Sequence, residues 1–312
     1  MAKFRQNHTR NGGLKGASIV KIILVIAVFV VILWFLGRTI NSIPIVSEVD
    51  SEMDKVAVFD FSKDSVESLP DQIYIPAGSN GEIIHHKYYS LSYVEEYEQS
   101  EWVAYPLTKE LIRMPNVPRA KRFEDDLSVS TGSATYYDYR GSGYSRGHLA
   151  PAADMAHNRE AMEASFLMSN MSPQISSFNG GIWNELENLV RDWAYKYEEV
   201  IVVTGPILDA NLKEFIGKNK VAVPDKFYKV ILDMKGPETK AIGFILDNQK
   251  SVERLQSLAV TVDEVEKATG LDFYTYLLPS EEEEILESKV NVGKWKFDEN
   301  LYRKRINVWN NR

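Results

Sequence analysis

Sixteen consecutive uncharged residues, Ile22 to Gly37 (IILVIAVFVVILWFLG), divide this 312-residue chain into parts that cannot share one aqueous core. Ala17–Val20 extend the run past a single Lys21, whose ammonium can snorkel to lipid headgroups. A spanning helix needs about 20 apolar residues, so the stretch is long enough. A cleaved signal peptide shares the basic start and apolar centre. However, no small-x-small cleavage site follows, and the bulky Trp34-Phe35-Leu36 ending suits an interfacial anchor. The sequence therefore predicts a basic N-terminus over 1–18, a transmembrane helix over 19–37, a polar stalk over 38–75 carrying Pro44 and Pro70, and a folded domain over 76–312. Lys3, Arg5, Arg10, Lys15 and Lys21 precede the span and only Arg38 closely follows it. The positive-inside rule then leaves the N-terminus in the cytoplasm and the folded domain outside it, periplasmic or extracellular in a bacterium.

There is no cysteine, which excludes disulfide scaffolds, thiolate metal sites and cysteine nucleophiles, so the domain must hold together by packing. Residues 1–47 carry six Lys/Arg and no Asp/Glu, leaving 30 basic residues against all 44 acidic ones in the remainder. The domain is acidic although the anchor is basic.

Strand-like composition starts near Ile83. Residues 85–108 (HHKYYSLSYVEEYEQSEWVAYPLT) read as a strand, a short polar helix and a second strand over Trp102–Leu107. His85 and His86 are neighbours, and neighbours on a strand point to opposite faces, so they make a surface pair rather than a metal site. VIVVTGP (200–206) reads as a buried strand, and residues 221–234 and 241–248 as two strands joined by the turn KGPETK. Helical periodicity runs from Ile182 to Tyr197, with Ile182, Leu186, Leu189 and Trp193 facing a core. Residues 251–270 give a connector and then a short helix from Val262 that stops at Gly270, and the polar stretch Ser169–Gly181 reads as a loop. The mixed order makes the class α+β.

Chemistry concentrates in two segments. In DYRGSGYSRGHLAPAADM (138–155), glycines at 141, 143 and 147 bracket basic and hydroxyl residues and let backbone approach a ligand. Arg146 and His148 stand two apart, on one side of an extended segment, so a guanidinium fork and a neutral imidazole can meet the same phosphate. A lone His in such a loop is otherwise a hydrogen-bonded structural residue. In FLMSNMSPQISSFNGGIWNELENLVRDWA (166–194), Asn179, Trp183 and Glu187 fall at i, i+4 and i+8. That spacing aligns a carboxamide at the helix entrance with a carboxylate two turns deeper. Taken alone, Asn179 reads equally as a helix N-cap and Glu187 as a solvated charge.

Together these segments resemble the non-specific DNA/RNA endonucleases of the endonuclease G-like kind. Their signature is Asp-Arg-Gly-His followed, some thirty residues on, by an Asn that opens a helix bearing Trp and Glu. Here Ser145-Arg146-Gly147-His148 stands for the first part and Asn179, Trp183 and Glu187 for the second, with Asn170 and Gln174 in the SNMSPQ segment between. The likeness continues through VVTGPIL (202–208), VAVPDKFYKV (221–230) and TGLDFYTYLL (269–278). It implies a mixed α/β nuclease domain with a ββα-metal (His-Me finger) core. It further implies His148 as general base, Asn179 as the direct protein ligand of Mg²⁺ or another divalent ion such as Mn²⁺, Arg146 steadying the phosphate, and Glu187 holding water on the ion. Arg191 resembles a further family arginine. An upstream one falls on Arg119 or Arg122, with Arg122 preferred. Arg140 and Ser145 join Arg119 and Arg191 as expected substrate contacts. Ser145 departs from the family Asp and removes a negative charge near the cation.

The resemblance implies hydrolysis of DNA, RNA or both, with little sequence preference because phosphate contacts do not read bases. It leaves open a homodimer and membrane attachment through the N-terminal helix. A polyanion would be repelled by the acidic domain unless Arg119, Lys121, Arg122, Arg140 and Arg146 form a local basic groove, with Glu281–Glu284 on other faces. Two alternatives remain: a non-catalytic nucleic-acid-binding module of this fold, and a phosphodiesterase for small or lipid substrates.

Overall fold

A strand buried on both faces must be apolar at successive positions rather than alternate ones, and the run VIVV (200–203) lies in the central strand of the sheet for that reason. The computed structural model describes residues 74–311. The expected transmembrane helix, and all but the last two residues of the expected stalk, lie outside those residues. No helix among the described residues is long and apolar enough to cross a membrane.

Seven antiparallel strands form one sheet in the order β1-β2-β3-β6-β9-β10-β11. These are β1 (Glu82–His85), β2 (Ser90–Val94), β3 (Gln99–Thr108), β6 (Glu199–Pro206), β9 (Lys226–Asp233), β10 (Lys240–Asp247) and β11 (Ala259–Val260). β3 pairs with β6 from Val103↔Thr204 to Thr108↔Glu199, and every residue of β6 is buried. The expected strand–helix–strand reading of 85–108 is met by β2, a short 3-10 turn at Glu95–Tyr97 and β3, which runs from Gln99 to Thr108 rather than from Trp102 to Leu107, while β1 adds a strand before them. KGPET (235–239) lies within the β9–β10 turn, as expected, and Lys240 opens β10.

Each face of the sheet is covered differently. On one face lies α4 (Asn184–Tyr197), whose Leu186, Leu189, Val190 and Trp193 pack with Val103, Tyr105, Val202, Phe227 and Ile231 in the main core. On the other, α5 (Val262–Thr269) packs against β9 and β10, while Phe273 lies against Tyr228. Thr261 and Glu264 form a capping box at the start of α5, and Gly270 ends it with φ +76°, a left-handed cap that glycine adopts without Cβ strain. The C-terminal α7 (Glu299–Asn307) is fastened to α4 through the buried Arg305–Glu185 pair. Arg305 also donates to the carbonyls of Ser251 and Glu253.

Two smaller pairs complete the description: β4 (Ser145–His148) with β5 (Met171–Gln174), and β7 (Phe215–Ile216) with β8 (Val221–Ala222). The stretch 169–181 is therefore not the loop expected from its polarity: it contains β5, followed by a short turn and a π-type turn. Pro173 is tolerated because β5 has a partner on one side only. Three short helices sit outside the sheet: α1 (Lys109–Arg113), α2 (Tyr136–Tyr139) and α3 (Arg159–Ala164). The remaining one, α6 (Ser280–Glu287), packs on α5 and β10.

Candidate active site

Two antiparallel strands feeding a helix bring the predicted residues together. β4 pairs with β5 in the register Ser145↔Gln174, Arg146↔Pro173, Gly147↔Ser172 and His148↔Met171. Pleating then places Arg146 and His148 on one face and Gly147 on the other. Gly147 is required there, since a Cβ would lie 2.1 Å from Cδ of the fully buried Gln174. The chain leaves β5 through Ser176–Phe178 and the π-turn Asn179–Trp183 before α4 begins. Ser145 and Ser176 hydroxyls are 2.9 Å apart and join the start of β4 to this turn.

His148 is 8% exposed, and its Nε2 is buried without a hydrogen-bond partner. Its ring meets Phe166 edge-on at 4.9 Å and Phe123 at 5.9 Å. Burial, together with the charges of Arg119 and Arg146, pushes its pKa down to about 3, so the imidazole is neutral at physiological pH. Arg146 is clamped between rings, with Cζ 4.6 Å from the centres of both Phe123 and Tyr136. It forms no ion pair among the described residues, and its Nε is buried and unpartnered. The guanidinium is thus placed by stacking and keeps its donors for another acceptor.

The upstream arginine that reaches this group is Arg119, not the preferred Arg122. Arg119 lies over the Phe166 ring at 4.9 Å and bears electrostatically on both His148 and Glu187. Arg122 is exposed and belongs, with Arg119, Lys121 and Arg159, to an open cleft beside Pro118; Glu124 and Glu163 also line it. The basic groove is therefore mixed in charge along that edge. Arg140, at the end of α2, is exposed. Glu281–Glu284 lie on α6, on the α5 and β10 side of the molecule rather than on β4 or β5.

Asn179 is half-buried with helical backbone angles, and its carboxamide makes no capping bond. It is not the N-cap of the long helix. The π-turn resets the spacing that a straight α-helix would give. Trp183 is wholly buried against Phe178 and Phe227 instead of bordering the site, while Asn179 and Glu187 remain accessible. The Glu187 carboxylate has no hydrogen bond or ion pair among the described residues. Burial pushes its pKa up to about 7; Arg191 and Lys229 pull against that shift.

Three residues that sequence reasoning passed over hold this arrangement. Asp154, 5% exposed, accepts from Arg191 at 2.6 Å and from the Tyr105 hydroxyl at 2.8 Å. Arg191 is thereby fixed to an acid rather than left free for substrate. Lys229, on the α4 face of β9, is 1% exposed with an unpartnered Nζ 4.6 Å from the Trp183 ring centre. Burial lowers its pKa to about 8, against the attraction of Glu187 and Asp154. A lysine inside the apolar run FYKVILD was the available signal. Asp126, finally, pairs with His86 at 2.8 Å, so His86 is a structural residue rather than a surface one.

This geometry offers a neutral buried imidazole, a stacked arginine with free donors, and two accessible oxygen-bearing side chains without partners. The oxygen donors of Asn179 and Glu187 suit a hard divalent cation, which takes few protein ligands beside water and phosphate.

The family model described as DNA/RNA non-specific endonuclease matches residues 72–280. The chain is similar to mitochondrial Endonuclease G of Homo sapiens, 36% identical over 203 residues, covering 61% of this chain and 68% of that protein. It is also similar to Nuclease C1 of Cunninghamella echinulata var. echinulata, 36% identical over 215 residues, covering 64% and 85%. Among solved structures, a chain of the EndoG/EndoGI complex superposes with a TM-score of 0.59 at 33% identity, covering 64% of this chain and 87% of that one. With β4, β5 and α4 supplying the strand–strand–helix unit, this chain belongs to the DNA/RNA non-specific endonuclease family and is a nuclease.

Proposed function

We propose that this chain is a membrane-anchored, divalent-cation-dependent endonuclease that cuts DNA and RNA with little sequence preference, with His148 as general base and Asn179 as the direct protein ligand of one ion, Mg²⁺ in the simplest case. The observation that carries the reading is the buried, unpartnered Nε2 of His148 on the same strand face as Arg146. A polar atom is left unsatisfied at a cost of about 1–3 kcal/mol unless something else fills the position, and an attacking water does so.

The roles follow from placement. Arg146 and Arg119, held by ring stacking, present positive charge to one phosphate and neutralise charge that gathers on its oxygens. Their charge also keeps His148 unprotonated until a phosphate offsets it, so the ring gains basicity only when substrate is present. A bound divalent cation would add positive charge at the same phosphate oxygens. Glu187 would hold water near Asn179, and Asp154, through Arg191, fixes the charge balance around Glu187. Ser145, in place of the family Asp, lowers the negative charge around the cation and weakens its binding. The basic residues before the expected helix over 19–37 support a domain outside the cytoplasm, tethered to the membrane through the expected stalk.

The test is a digest of plasmid DNA, of long RNA and of bis-nitrophenyl phosphate by the full chain, with and without EDTA. Nicking and linearisation of plasmid, abolished by EDTA and by His148→Ala, is the expected result, with little turnover of the small ester. Undiminished cutting by His148→Ala would remove the general-base assignment. Cutting confined to the small ester would replace the nuclease reading with that of a phosphodiesterase.

A further inference from the structure

Far from β4 and β5, five carboxylates converge where α5, the loop after it and α6 meet. One oxygen each from Asp263, Glu266 and Glu287 lie within 4.8 Å of one another, and the same holds for Asp272, Glu283 and Glu287. Glu287 is shared by both groups. It is 5% exposed, and its Oε1 is buried without a partner, as is one oxygen of Glu283. The hydroxyl of Tyr274 is likewise buried and unpartnered, on a residue that is 4% exposed and held at φ +62°, and it senses the charges of Glu287 and Glu266. None of the five acids forms a salt bridge among the described residues. Hydrogen bonds relieve them in part, from the Phe273 amide to Glu266 at 2.9 Å and from the Thr275 hydroxyl to Asp272 at 2.8 Å, with Thr275 also bearing on Glu283.

Such a group is costly unless something positive enters it. The buried Oε1 of Glu287 has no hydrogen-bond partner, and its carboxylate has no salt-bridge partner among the described residues; a buried carboxylate left unpaired is costly. Two physical outcomes relieve the cost: a shared proton or a metal ion. Ca²⁺ takes six to eight oxygens at about 2.3–2.6 Å in adaptable geometry, so oxygens on opposite sides of it stand about 4.6–5.2 Å apart. The observed spacing fits that span, and the carboxylates come from two helices and a loop, which can adjust. Mg²⁺ demands shorter, near-octahedral ligation and keeps its waters.

We infer that the junction of α5 and α6 is a structural Ca²⁺ site centred on Glu287, separate from the nuclease centre. It has a consequence for the fold. Asp272 also exchanges both backbone hydrogen bonds with Ala77, at 2.8 and 3.0 Å, so an ion held there fastens the first described segment of the domain as well as α6.

The experiment uses Tb³⁺ as the probe in detergent-purified full chain carrying Asn179→Ala, which removes the oxygen ligand proposed at the nuclease centre. Excitation of tyrosine, with Tyr274 adjacent, gives saturable Tb³⁺ emission that Ca²⁺ displaces at a concentration on the order of 10⁻⁵ to 10⁻³ M. Glu287→Gln weakens it by at least about tenfold, because affinity follows ligand charge. Ca²⁺ raises the thermal midpoint of the Asn179→Ala chain and not of the same chain with Glu287→Gln added, while Glu287→Gln alone, with Asn179 intact, keeps normal Mg²⁺-supported plasmid cutting. Glu283→Gln, on a partly exposed turn of α6, repeats the comparison should the buried substitution disturb folding. Absence of sensitised emission, or emission and midpoint shifts unchanged by both substitutions, overturns the site and leaves a proton shared among the acids.

Discussion

The neutrality of His148 can be measured through stability, independently of catalysis. An unfolded histidine titrates near 6.5, whereas burial and the two arginines hold the folded ring down to about 3. Because the folded value is depressed, the unfolded chain binds the extra proton first. Stability is therefore unaffected above 6.5, falls as pH drops below it, and levels off below about 3. Between pH 7.5 and pH 5 the loss covers about 1.5 units, or about 2 kcal/mol. His148→Gln removes the titrating group, while His157, Glu187 and the other perturbed groups remain in both proteins and cancel in the double difference. The assay is urea unfolding followed by tryptophan fluorescence at the two pH values, in EDTA. The parent should lose about 2 kcal/mol more than His148→Gln on acidification. Equal losses in the two proteins would show that the ring takes up its proton in the folded state at an ordinary pH. Burial, Arg119 and Arg146 would then not hold the ring unprotonated.

Other outcomes are equally specific. Asp154→Asn removes the buried negative charge that pairs with Arg191 and should destabilise the fold by about 3 kcal/mol in denaturant titrations, with plasmid cutting reduced more than substrate binding. Gly147→Ala puts a Cβ 2.1 Å from Gln174 and should cost about 1–3 kcal/mol, much of it recovered in the double substitution with Gln174→Ala. Lys229→Met removes a buried cation that pulls the Glu187 carboxyl down; the acid limb of the pH–rate profile, where Glu187 contributes, should move to higher pH while thermal stability holds or rises. A limb that stays in place with melting unchanged would make Lys229 irrelevant to Glu187.

Much of this protein is legible before folding. Hydrophobic periodicity locates β6, β9, β10, α4 and α5, because a buried strand must be apolar throughout and a core-facing helix must repeat every three to four residues. The pairing of Arg146 with His148 follows from the two-residue repeat of an extended chain. The sequence by itself also carries the uncharged run at 22–37, and with it the anchor expectation, which lies outside the described residues. Tertiary structure alone decided the rest. Polarity made 169–181 look like a loop, whereas β5 is buried throughout and a residue distant in sequence satisfies its Ser172 hydroxyl, which donates to Gln99. The π-turn at Asn179 shifted a spacing that counting residues treats as regular α-helix. Arg119 rather than Arg122 reaches His148 because Phe166, distant in sequence, supplies the ring it stacks on. Asp154 and Lys229 bear on Glu187 only because the fold brings residues distant in sequence to one face of the sheet. Electrostatics depends on distance through space and on exclusion of water, and neither is written in the order of residues.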